Sequence, residues 1–69
     1  MQHAMIEQVG SAIVLVMIGT REECLTYAMR LANENLTCPS RGELEENGFL
    51  SGDPQVNDYK VSVVPCFPL

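Results

Sequence analysis

The sequence contains no tryptophan, one histidine and only four basic residues among its 69 positions. With His3 as the sole imidazole, His-rich zinc sites are excluded, and any Ser-His or Cys-His pair would depend on a residue beside a terminus. Arg21, Arg30, Arg41 and Lys60 are scattered. Neutralising phosphates takes a cluster of Lys and Arg, so direct nucleic-acid binding is not expected. Cys24, Cys38 and Cys66 are widely spaced and lack the C-x2-C pairs of zinc sites. They read as reduced thiols used in packing, not as a disulfide framework. The longest apolar run, residues 12–18, is far shorter than the roughly 20 residues a membrane-crossing helix needs. The opening residues have no basic segment, and Glu7-Gln8 stands where a signal peptide needs an apolar core, so a cytoplasmic location is expected. Paired catalytic groups, a nucleophile elbow and a multi-glycine phosphate loop are also missing, and no enzymatic activity, cofactor or metal is expected.

What is present is an apolar fraction of 46% with 19% charged residues, inside the globular range. At 7.6 kDa the chain makes one small domain, near the lower limit at which a single core offsets chain entropy. Nine acids against four bases give a net charge of −5. Five of the acids, Glu43, Glu45, Glu46, Asp53 and Asp58, fall between Gly42 and Tyr59 with no base among them.

The patterning predicts a hairpin of residues 3–9 and 12–18, with Gly10 opening a two-residue type II′ turn. Residues 12–18 are apolar on both faces and rich in β-branched side chains, which suits a central strand covered from both sides. Thr20-Arg21-Glu22-Glu23 has the capping-box form and starts a helix, with Cys24, Leu25, Ala28, Leu31 and Ala32 at helical spacing on one face. Pro39 ends it. Ser40-Arg41-Gly42-Glu43 repeats the form, and Gly48 is a left-handed terminator, so a short helix is expected over 41–47. Ser51-Gly52-Asp53-Pro54 is turn chemistry, and Tyr59 to Val63 alternates as a strand, expected at an edge because Pro65 and Pro68 follow. The expected fold is α+β: a small β-β-α-(short α)-β sheet with one principal amphipathic helix packed on one face.

One helix cannot cover both faces of such a sheet. A wet row of Val, Leu and Ile forfeits about 1.5–3 kcal/mol per side chain, so a cover is expected. The simplest is a second copy, a homodimer joined sheet to sheet or through an edge strand, with Val14, Val16 and Ile18 in the interface. The alternative is that the N-terminal segment or the helix of the 41–50 stretch folds back over the second face.

For function, the acidic stretch with Phe49, Leu50 and Tyr59 among its acids suits docking on a basic protein surface. Glu43, Glu45, Glu46, Asp53 and Asp58 supply charge, and the three apolar residues supply anchors. Carboxylates can occupy the places of phosphates on such a surface. A small acidic inhibitor of the phage type, acting against a host defence complex such as a CRISPR effector, fits that description. The same stretch also reads as a solvated loop that maintains solubility. A different reading places a nucleotide or other anion at the helix start, Gly19-Thr20-Arg21, in a homo-oligomer; a single glycine and the neighbouring Glu22 and Glu23 weigh against it. Finally, Thr20-Arg21-Glu22-Glu23 with Ala28, Leu31, Glu34 and Leu36 resembles the first strand and helix of the CutA family over about residues 12–38. That resemblance implies a small ferredoxin-like trimer. The remaining chain lacks the family's long aromatic-rich hairpin, and no ligand or metal residue carries over.

Overall fold

The computed structural model describes residues 1–53 and 58–66. The chain runs β1 (Gln2–Val9), β2 (Ala12–Gly19), α1 (Arg21–Asn35), α2 (Arg41–Asn47), β3 (Phe49–Ser51) and β4 (Tyr59–Cys66). Pro54 and Pro68, expected to shape a turn and the chain end, lie outside the described residues.

Local chemistry sets each boundary. Gly10 adopts φ 60° while Ser11 keeps a negative φ, the combination a type II′ turn requires. At the start of α1, Thr20 Oγ1 accepts from the Glu23 amide and Glu23 Oε1 accepts from the Thr20 amide, each at 3.1 Å, so the capping box is complete. In α2, Ser40 Oγ accepts from the Glu43 amide, and Gly48 closes the helix at φ 84°, a conformation that costs glycine little.

The strands form one antiparallel sheet in the order β2-β1-β4-β3. The α+β architecture is therefore the expected one, with α1 as the principal helix on one face. Strand order differs from expectation in two respects. β2 is an edge strand and not the centre, because β1 pairs with both β2 and β4. β4 is inner and not an edge, because β3, too short for its period to show in the sequence, pairs with it through Phe49↔Ser62 and Ser51↔Lys60. Pro65 is tolerated there because β4 has by then run past the end of β3 and borders β1 alone. The element order β-β-α-α-β-β also departs from the β-α-β-β-α-β order of a ferredoxin-like fold.

Register assigns the faces. Met5, opposite Val63 and Met17, is fully buried under α1, so Val61, Tyr59 and Glu7 share its side of the sheet. The core joins Met5, Val61, Val63, Tyr59 and Leu50 of the sheet to Cys24, Leu25, Ala28 and Ala32 of α1 and Leu44 of α2. Both helices thus cover one face, and α2 does not fold back over the other. A bulge between Met5 and Ile6 leaves Val16 as an extra residue in β2: Val16 and Met17 together oppose Met5, and both pack against the core. The alternation resets there, so Ile13 and Leu15 share the uncovered face with Ile18, across from Gln8, Ile6 and Ala4.

That corrects the expected interface set. Of Val14, Val16 and Ile18, only Ile18 lies on the uncovered face. Val14, opposite Glu7, is on the helix side, and Val16 is half-buried against the core.

Two substitutions test the capping box. Thr20→Ala is expected to cost about 1 kcal/mol, read as the urea midpoint of the circular dichroism signal. Glu23→Ala also destabilises, with a specific pH dependence. The hydrogen bond from the Thr20 amide holds the Glu23 carboxyl below its ordinary 4.5. Its contribution is complete above that value and is lost as pH falls through the lower folded one, so the deficit of Glu23→Ala should vanish in acid.

Candidate functional site

The acidic residues follow from the seating of α2. Leu44 is fully buried, which turns Glu43, Glu45 and Glu46 to solvent around it. Arg41 Nη2 meets Glu22 Oε1 at 2.5 Å, and its Nε meets Glu45 Oε1 at 3.2 Å. Arg21 Nη2 donates to the Glu45 carbonyl at 3.2 Å. These contacts tie α2 to α1 and commit the Glu45 carboxylate to an internal partner. Arg30 lies 6.0 Å from the Tyr27 ring centroid and Lys60 4.6 Å from that of Phe49. Every base thus has a partner within the chain. Glu43 and Glu46 extend from α2 with no basic partner among the described residues.

The structure separates the five acids. Glu43 and Asp53 line one cleft of about 370 Å³, with Leu36, Cys38, Pro39 and Leu50 contributing its apolar part. Glu45 and Glu46 line another, of about 220 Å³, with His3, Arg21 and Pro65. Asp58 stands at the far hairpin, where its carbonyl accepts from the Gly10 amide at 2.9 Å. The 36–39 connection that walls the first cleft includes Cys38 at φ 48°, in the left-handed region that non-glycine residues rarely occupy. No neighbouring residue type marks that turn.

Two of the three expected anchors are not available. Leu50 and Tyr59 are each only 4% exposed and belong to the core, because β3 and β4 present them to the helix side. Tyr59 donates its hydroxyl to Glu7 Oε2 at 2.6 Å. Burial first, and then that hydrogen bond, push its phenol well above the ordinary 10. Phe49 is exposed, but on the uncovered face beneath Lys60, away from the cleft.

The helix start at Gly19-Thr20-Arg21 is also occupied from within. Glu23 takes the Thr20 amide, its carboxylate lies beside Gly19, and Arg21 is turned to α2. An incoming anion would have to displace a carboxylate and then sit beside Glu22. Among the described residues, no group of three or more His, Cys, Asp or Glu side chains is placed to hold a metal ion. Comparison of the chain with protein-family models, curated proteins and solved structures finds no match. What the cleft can do therefore rests on its own residues.

The Tyr59–Glu7 contact has a measurable consequence. Because the folded phenol is raised above its unfolded value, its contribution to stability is complete below about pH 10 and is lost as pH rises beyond it. In a Tyr27→Phe background, phenolate absorbance should appear only together with loss of the helical signal. Phenolate appearing at pH 10 in a folded chain would contradict the buried position. Tyr59→Phe, which strands the half-buried Glu7, should cost about 1–3 kcal/mol.

Proposed function

We propose that this is a non-enzymatic binding protein whose acidic side, built on α2 and the segment after β3, docks on a basic protein surface. The observation that supports it most is that Glu43 and Asp53 flank one part-apolar cleft. An Arg or Lys side chain could lay its aliphatic stem on Leu36 and Pro39 and place its cationic head between the carboxylates. Arg21 and Arg41 on this side are engaged by Glu45 and Glu22, while the chain as a whole carries a net charge of −5. That field favours encounter with a cationic surface. The cleft replaces the expected cluster of five acids and three anchors with a smaller determinant. Glu43 and Asp53 are its charges, and Glu46 and Asp58 contribute only to the long-range field. Carboxylates in the positions of phosphates on an Arg-rich channel would make an inhibitor of a nucleic-acid-binding complex. An anti-defence role of that kind belongs to the same proposal.

The test uses a fluorescent Arg-rich peptide as probe. Affinity should fall steeply between 50 and 200 mM salt, chosen to span about a twofold change in screening length. Glu43→Lys and Asp53→Lys should each weaken binding by about tenfold or more, while the same charge change at Glu46 weakens it less. Equal effects at all three positions would remove the cleft from the proposal. Indifference to both salt and charge reversal would remove the electrostatic reading itself.

A further inference from the structure

The face of the sheet opposite the helices carries Ile6, Ile13, Leu15, Ile18, Phe49 and Val64. Ile13 is 66% exposed and Leu15 56%, more than half of each residue in water within β2. Ala4, between Ile18 and Val64 on the same face, is buried yet belongs to no part of the helix-side core. Ile13, Leu15, Ile18, Ile6, Ala4 and Val64 therefore form a contiguous apolar patch across β2, β1 and the end of β4, with Gln8, Ser62, Lys60 and Ser51 on the same face between it and Phe49.

We propose that this face packs against the same face of a second copy of the chain, making a two-fold dimer with two sheets inside and the helices outside. Three observations select that occupant.

The first is charge. None of the nine acids occupies a strand position on this face, where Lys60 is the one charged residue, already stacked on Phe49. Two copies each carrying −5 meet least repulsion there, whereas a basic partner finds no counter-charge.

The second is area. Three eight-residue strands and a three-residue fourth present a plan of about 430 Å², given strands ~4.8 Å apart and a rise of ~3.3 Å per residue. Two such faces meet over about 850 Å² in plan, and the relief of the Ile, Leu and Phe side chains adds accessible area to that, which suits a small two-fold interface near the ~1,000 Å² lower bound.

The third is the edge. The bulge at Val16 interrupts the regular hydrogen-bonding row of β2, which disfavours joining two sheets edge to edge and leaves face-to-face stacking as the way to cover these residues. The surface is opposite the helix-bearing side that holds the acidic cleft, so the proposal does not depend on what the cleft binds.

Sedimentation equilibrium of the full chain at micromolar concentration is the test. Wild type should show twice 7.6 kDa. Leu15→Glu and Val64→Glu should each sediment as monomers with an unchanged circular dichroism spectrum, because either places an unpaired carboxylate in a desolvated layer. If Leu15→Glu loses its helical signal, Ile13→Glu, at the most exposed position of the face, takes its place. A wild-type monomer at every concentration overturns the proposal, and so does a mass above two copies. A dimer that survives Val64→Glu overturns it as well, since Val64 lies two strands from the β2 edge and an edge-joined dimer would not sense it.

Discussion

The structure depends on one-sided burial. α1 presents a narrow stripe, Cys24, Leu25, Ala28 and Ala32, and the sheet meets it with Met5, Val61 and Val63. Small residues in that stripe let the helix lie close to the two inner strands, β1 and β4, with a lesser contact to β2. The second helix adds Leu44 to the same layer and is held by Arg41 and Arg21. Among the described residues, no helix covers the apolar side chains on the other side of the sheet.

This arrangement also separates the protein's two surface chemistries. The helical side holds the carboxylates, together with the bases that restrain some of them. The open side carries an apolar patch with a few uncharged polar residues and a single charge, Lys60. A chain of 69 residues has little core to spare, so an exposed layer of this size is a cost that folding alone does not explain. One surface suits recognition of a cation and the other suits self-association, and they can be used together because they face opposite ways.

Features fixed by local chemistry were legible in the sequence. The Gly10 turn, the Thr20 and Ser40 caps, the Gly48 terminator and the α1 stripe all depend on residues within a few positions of one another. Strand order was not legible. An apolar strand such as β2 reads the same whether it is central or an edge with an uncovered face, because hydrophobicity records that a side chain needs cover and not which element supplies it. The Val16 bulge shifted the alternation by one residue, which placed Val14 and Val16 on the wrong side and concealed Ile13 and Leu15. The same limitation hid the burial of Leu50 and Tyr59. Their acidic neighbours suggested a surface, but the pairing of β3 with β4, set by non-local contacts, turned both inward. The acidic cleft depends on Cys38 in a left-handed conformation, for which the sequence had no marker.

The central claim, that the sheet has one dry face and one bare face within a single chain, is most directly tested by methyl NMR with a soluble paramagnetic agent at concentrations dilute enough to give monomers. The account predicts strong broadening of the Ile13, Leu15 and Ile18 methyls, with those of Leu25, Leu44 and Val61 protected. Equal protection of both sets in the monomer would contradict it, because the chain would then be covering the second face itself.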